Sequence, residues 1–344
     1  MLHALEDILS KGIVEAKQQF VEDEGVDPDL RGWNFNSPKL KVPKQNVTLP
    51  MYKIADGYCP NDRKRFWVDV KGKRTKKSKP LIYGSVIHQT VEALIDRTKG
   101  FIYNPDQYLD VLQTQLKEDA KVSPAHIGMY LAAIQNQTIE AILEKNKVES
   151  FLKRKILTTD DITEMRSHAN RLWFHEMILA TGRVHYAMAS NSKYGHYPTG
   201  DALVKLAVPM SIESVYDGTN LGMGRVLHID SIVLNRGIIV SDIKTGRPRD
   251  FHDLTVTGYG LVLEEKHKQP VNAGVIVYPS FPNNSDVPEI YCEVYAITNE
   301  LREKFIEKRN RDLIMVADKV DPGPPPKGAD CPGWCDFYDL CQKG

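Results

Sequence analysis

Two sets of residues in this 344-residue chain have the types and spacing to do chemistry, and they lie far apart along it. The first is acidic. Asp230 sits in the apolar run LHIDSIVL and, twelve residues later, Asp242 and Lys244 close a second run, GIIVSDIK. Both runs are short and rich in Ile and Val, and Asn235-Arg236-Gly237 separates them, which reads as strand, tight turn, strand. Side chains alternate along a strand, so Asp242 and Lys244 share a face and Ile243 takes the other. An antiparallel pair then sets two carboxylates and an ammonium on one surface. Carboxylates brought together repel unless a cation lies between them, and a divalent ion with oxygen ligands answers that need. Such an ion acidifies bound water and grips phosphate oxygens, as phosphodiester hydrolysis requires. Lys244 is suited to orient the nucleophile or to offset charge developing on the phosphate.

An Asp and a Lys two apart at a strand end are by themselves ordinary surface charges. Their company gives them weight. Tyr83-Gly84-Ser85-Val86-Ile87-His88 leads into VIHQTVEALIDRT, where Val86, Ile87, Val91, Leu94 and Ile95 fall at helical spacing. His88 and Glu92 then lie four apart on one helix face, and imidazole is a usual further ligand for a catalytic ion. Downstream, FHDLTVTGYGLVLEE reads as an amphipathic helix that places Tyr259 to brace the same face. His228 is set aside, since a strand histidine can simply pack or hydrogen-bond; Glu213, on the preceding strand, is a weaker candidate for an outer carboxylate.

The second set is sulfur. Cys59 stands alone, while Cys331, Cys335 and Cys341 crowd into CPGWCDFYDLC. One shell drawn from all four requires the fold to return its C-terminal segment to residue 59, so a bound group there would act as a structural clasp. Zinc and iron-sulfur centres both accept shells made wholly of cysteine sulfur. The trio, separated by three and five residues, is less like the paired CxxC knuckles of zinc ribbons, which favours the cluster. Disulfides are the weaker reading, because no signal peptide opens the chain and a cytoplasmic location keeps thiols reduced. Cys292, in EIYCEVYAI, alternates like a strand residue and is expected in the core.

Five segments position these groups. Residues 1–50 form an N-terminal arm, amphipathic through LEDILSKGIVEAKQQFVEDE and aperiodic through NFNSPKLKVPKQN. Residues 51–103 hold Cys59, a basic loop and the His88 helix. Residues 104–190 are helical in pattern, with caps at Asn104-Pro105, Ser123-Pro124 and Thr159-Asp160, and form a layer walling a substrate channel. Its histidines, His126, His168, His175 and His185, are read as structural. Residues 191–320 carry strands at 203–216, 223–234, 237–244, 272–279 and 288–297, the Tyr259 helix, and a last helix in TNELREKFIEKRNRDLIMVADKV. Residues 321–344 run through a proline-stiffened lead to the cysteine trio.

Lys plus Arg equals Asp plus Glu at 45 each, so no global field draws the chain to nucleic acid and any binding rests on local patches. Residues 63–79, RKRFWVDVKGKRTKKSK, hold nine Lys or Arg against one Asp, with Phe66 and Trp67 interleaved. Cations neutralise phosphates and aromatics stack bases, which is how single strands are gripped without sequence preference. No run of 18 or more apolar residues is present, which excludes a membrane-spanning helix.

Taken together, Gly84 through His88 as GxxxH, Asp230, Asp242-x-Lys244, the Tyr259 helix and the one-plus-three cysteines resemble the RecB-like nucleases of the PD-(D/E)XK superfamily. More narrowly, the chain resembles the CRISPR-associated RecB-like iron-sulfur exonucleases in their longer archaeal version. Thr255 stands at the Gln position of that family's QxxxY motif and only Tyr259 matches. The resemblance implies an α/β restriction-endonuclease-like core, a mixed central sheet flanked by helices, with a large helical insertion and an iron-sulfur clasp. It implies His88, Asp230 and Asp242 as ligands of Mn2+ or Mg2+, Lys244 in the hydrolytic step, and Cys59, Cys331, Cys335 and Cys341 around a cluster, most often 4Fe-4S. It further implies DNA substrates, single-stranded ends in particular, and work beside the CRISPR integrase and other adaptation proteins in trimming prespacers for antiviral defence. A RecB/AddB-like repair nuclease is the neighbouring reading, although no GxxxxGK[ST] loop supplies a motor. A non-catalytic DNA-binding scaffold subunit is the reading from another class.

Overall fold

The computed structural model of the chain describes residues 8–9, 11–105, 123–192, 199–234, 237–326, 329, 331 and 335–342. Its centre is a five-stranded sheet in the order β1 (Met210–Tyr216), β2 (Leu227–Leu234), β3 (Ile238–Ile243), β4 (Ala273–Ser280) and β5 (Glu289–Ala296). Only β3 and β4 run parallel; the other neighbours are antiparallel. A parallel step needs a crossover. Helix Asp253–His267 supplies it. The fold class is therefore α/β with a mixed sheet and helices on both faces.

The sheet is buried on both sides because its strands are apolar on both. Ile239 and Ile243 of β3, with Ala273, Val275 and Val277 of β4, face a cluster built by helices α2 (Lys79–Tyr103), α3 (Pro124–Lys145) and α4 (Thr159–Ser192), which contributes the fully buried Trp173. Ile238, Val240, Ile276 and Tyr278 face a second cluster holding α6 (Asp253–His267) and α7 (Asn299–Asp318). Helix α1 (Ile13–Glu24) buries Val14 in the first cluster, whereas Leu30, Leu40, Val42 and Leu49 of the following chain are buried in the second. The N-terminal stretch thus reaches both faces. Among the described residues no helix is long and apolar enough to cross a membrane.

Several sequence expectations need correction. The strand expected at 203–216 is a helix first: α5 (Gly200–Ala207) is capped by Thr199 Oγ1, which accepts from Ala202 N, and buries Leu203 and Ala207 four apart. Only from Met210 does the chain extend. The Tyr259 helix is buried from Leu254 to Glu264 rather than on one face, since sheet, α7 and N-terminal stretch enclose it. Asn104 closes α2, and Pro105 directly after it is helical again, in keeping with a cap at Asn104-Pro105. Ser123 does cap α3, where its side chain and that of His126 form a reciprocal capping box. Residues 106–122, Asn235 and Arg236 of the expected turn lie outside the described residues.

A buried carboxylate fastens this assembly. Glu264, at the end of α6, accepts two hydrogen bonds from Arg302 at 2.8 and 2.9 Å, one from Arg31 Nη1 at 2.6 Å, and two from the backbone N–H groups of Gly32 and Val271. Position 32 admits no side chain, because a Cβ there would collide with the Leu261 carbonyl.

Candidate active site and cysteine pocket

The β2–β3 hairpin pairs Ser231 with Ser241, and continuing that register sets Asp230 opposite Asp242. The two carboxylates are thus neighbours by backbone geometry alone. The N-terminal turns of α2 cross beside them: a Cβ at Gly84 would come within 3.0 Å of Thr245 Oγ1, so glycine permits the approach that brings His88, one turn on, over the hairpin. His88 Nδ1 lies 3.2 Å from Asp230 Oδ2, which also accepts from Ile243 N at 2.8 Å. Lys244 Nζ lies 2.6 Å from Asp242 Oδ2, while its own N–H is anchored on Val277 O of β4.

Environment separates the two acids. Burial pushes the Asp242 carboxyl up, and Asp230 adds to it; Lys244 opposes them without prevailing, and the group stands at about 6. Burial also acts on Asp230, but His88, the Ile243 N–H and Lys244 outweigh it and hold that carboxyl below the usual range. Burial alone would lower His88, yet Asp230 and Asp242 carry it up to about 9. Lys244, likewise opposed by burial, is raised by Asp242. The result is a nearly balanced set of two carboxylates and two cations. One atom is left short: Asp242 Oδ2 is buried and, although in contact with Lys244, accepts no well-formed hydrogen bond.

That unmet acceptor, with two carboxylates and an imidazole, fits a hard divalent ion. Among the described residues no three His, Cys, Asp or Glu side chains are drawn around one point as a single bound ion requires; Asp230 and Asp242 are each engaged by a cation of the chain. Tyr259, the remaining residue expected at the site, is 8 % exposed within the apolar packing around α6. His228 is exposed on β2, and Glu213 lies on β1.

The four cysteines come together. Cys59, Cys331, Cys335 and Cys341 line one pocket with Tyr58, Pro60, Asn61, Lys64, Pro325 and Tyr338, and none is in a disulfide. A shell of free thiols from both ends of the chain suits the groups that take cysteine alone. Lys64 N–H points at Cys59 Sγ at 3.5 Å, and burial pushes the Cys341 thiol up against Trp67 and Arg63. The clasp is also polar. Arg63 pairs with Asp321 through both Nε and Nη2, its Nη1 donates to Cys341 O at 3.1 Å, and Asn61 donates to Gly323 O at 2.7 Å.

This splits the basic stretch 63–79. Arg63 and Arg65 are buried, Arg65 in an ion pair with Asp312 of α7, and Phe66 is buried as well. Lys71, Lys73, Arg74, Lys76 and Lys77 are exposed, on a loop whose Lys76 N–H bonds Asp336 beside the cysteine trio. Cys292, as expected, packs against the first core cluster.

Residues that sequence reasoning missed extend the polar face beyond Asp242. Asp242, Ile276 and Glu293 are register partners across β3, β4 and β5. On that face Tyr278 hydroxyl meets His252 Nδ1 at 2.9 Å and Glu293 Oε2 at 3.3 Å, and Tyr295 also bonds Glu293. Burial, then Lys244 and Arg249, lower His252 to about 4, so it is neutral at physiological pH. The legible signal was the alternation of Tyr291, Glu293 and Tyr295 on one strand face.

A mixed sheet with paired carboxylates, an imidazole and an ammonium at one end, and a pocket of free cysteines, defines the class: an α/β protein that carries an acid–cation constellation. The chain belongs to the family described as CRISPR-associated exonuclease Csa1, whose model matches residues 1–133 and 106–344. It is 25% identical over 318 residues to the CRISPR-associated exonuclease Csa1 of Thermoproteus tenax, covering 92% of each chain. Over 319 residues it is 25% identical to the protein of the same name from Saccharolobus solfataricus, covering 93% of each.

Proposed function

We propose that the chain is a metal-dependent DNA exonuclease with a PD-(D/E)XK core, acting on single-stranded ends and trimming prespacers beside the CRISPR integrase. The observation that carries the reading is the convergence of His88, Asp230, Asp242 and Lys244 in a chain of this family. Mn2+ or Mg2+ held by Asp230, Asp242 and His88 would polarise a phosphate oxygen and acidify a water. The rest falls to the chain. Asp242 keeps a buried oxygen that Lys244 contacts at 2.6 Å without a well-formed hydrogen bond, and a bound cation would take the place of that contact. His88 must give up its proton and its Asp230 contact to act as a ligand. Lys244, anchored through its backbone on β4 and 29 % exposed at its side chain, reaches the surface where a phosphate would lie and offsets its charge. The exposed cations of residues 71–77 supply sequence-independent backbone contacts.

Cys59, Cys331, Cys335 and Cys341 would hold a 4Fe-4S cluster as a structural clasp. Its support is the shared pocket of four free thiols, a shell made wholly of cysteine sulfur such as a cluster takes. The test is anaerobic purification with iron and sulfide analysis, then digestion of end-labelled single-stranded DNA with Mn2+ or Mg2+. Brown protein whose cleavage is lost in Asp242→Ala but whose DNA binding is kept supports the reading. Colourless protein that binds DNA without cutting it would mean a scaffold.

A further inference from the structure

The loop that bears Cys59 is seated on the loop that follows Lys244. Gly57 lies so close to Phe251 that a Cβ there would collide with the ring. The next residue, Tyr58, meets Phe251 edge-on with ring centroids 4.9 Å apart, and the exposed Arg249 guanidinium lies 5.7 Å over the Tyr58 ring. Tyr58 also lines the cysteine pocket and is 37 % exposed. Its hydroxyl is near enough to bear on the Lys244 ammonium. A partly exposed aromatic therefore stands between the two candidate centres, braced by Phe251 and with the Arg249 guanidinium over its ring. A core tyrosine has no need of that setting. An exposed ring beside a guanidinium is what a single strand uses, with a base on the π-face and a phosphate on the charge.

We propose that Tyr58, supported by Phe251 and Arg249, is a nucleotide-stacking site that holds one base of single-stranded DNA between the acidic site and the cysteine pocket. The inference rests on the nuclease reading and adds to it the residue that sets the register of the strand. A base held here fixes which phosphate reaches Lys244. The cysteine clasp then matters to catalysis through position: it holds the loop that presents Tyr58.

The experiment measures binding of the full-length chain to a fluorescent single-stranded oligonucleotide in EDTA, where hydrolysis is stopped, using Tyr58→Leu, Tyr58→Trp and Arg249→Ala. Tyr58→Leu keeps the apolar packing on Phe251 but removes the π-face, and is expected to weaken binding about tenfold, within the range measured for single stacked bases. Tyr58→Trp is expected to bind at least as well as the native chain. Arg249→Ala is expected to weaken binding less and to flatten its salt dependence. A scan with single abasic sites supplies the readout that a merely structural role would not move. One position should weaken native binding about tenfold and have no further effect on Tyr58→Leu. If the native chain binds single strands but no abasic position distinguishes it from Tyr58→Leu, the stacking site is overturned while the nuclease reading stands. If the native chain neither binds nor cuts single strands, both fall together.

Discussion

Two carboxylates in this protein are almost equally buried and are treated in opposite ways. Glu264 is 0 % exposed and Asp242 3 %. Burial pushes both upward, yet Arg302, Arg31 and two backbone N–H groups give Glu264 five donors and hold it below its ordinary range, while Asp242 has one poorly aligned ammonium and rises to about 6. Burying a charge is tolerated when every oxygen is answered, and costs stability when it is not. A carboxylate that is fully answered holds structure together; one left short has affinity to offer a ligand. By this measure Glu264 is a fastener, and Asp242 is the group the proposed function assigns to binding.

The sharpest way to break the contrast is to remove each carboxylate in turn. Asp242→Ala should lose at least about a thousandfold in cleavage rate. Its melting temperature should hold or rise, because a poorly satisfied buried charge has gone; single-turnover digestion and calorimetry measure the two. Glu264→Ala should do the reverse. It strands Arg302 in the core and should cost about 3–5 kcal/mol in urea unfolding, with the folded fraction still cutting at the native rate. If Asp242→Ala instead unfolded the protein while Glu264→Ala was silent, the assignment of roles would be inverted.

Smaller effects sharpen the same contrast. Mn2+ at a hundred times its dissociation constant should stabilise the native chain by about 2.7 kcal/mol and Glu264→Gln by as much, but leave Asp242→Ala unmoved; thermal shift against metal concentration reads this. The pH dependence of Glu264 has a definite sign. Its folded pKa lies below the ordinary 4.5, so the stability it adds is present above pH 4.5 and is lost as pH falls through the folded value. The gap between the native chain and Glu264→Gln should therefore be widest above pH 4.5 and close on acidification, which urea titrations across that range would show.

The sequence made the site more legible than its supports, for a physical reason. Strand alternation and a short connection are enough to bring Asp230 and Asp242 together, and helical spacing is enough to set His88 beside an apolar stripe, so local periodicity carried three of the polar groups. Glu264 was not legible, because in VLEEKH it looks like any solvent-facing charge; its meaning comes from Arg31 and Arg302, 233 and 38 residues away. Arg63 and Arg65 misled for the same reason. They sit in a run of cations that reads as one surface patch, but Asp321 and Asp312 turn them inward. The LVKL of α5 fits strand and helix alike, and only Thr199 as a cap decides. Tyr58 gave no signal beyond its place beside Cys59, since what gives it meaning is the loop carrying Arg249 and Phe251, nearly two hundred residues away.

The bond from Arg63 to the carbonyl of Cys341 spans 278 residues of sequence. A contact that distant cannot form until the segment around Cys341 has been made, and closing so long a loop is among the slower events in folding. The sheet and its carboxylates can assemble before then, but the loop presenting Tyr58 stays unfastened. Sequence distance thus builds in a delay: the chain can bring its paired acids together before the bond that fastens the loop presenting Tyr58 has closed.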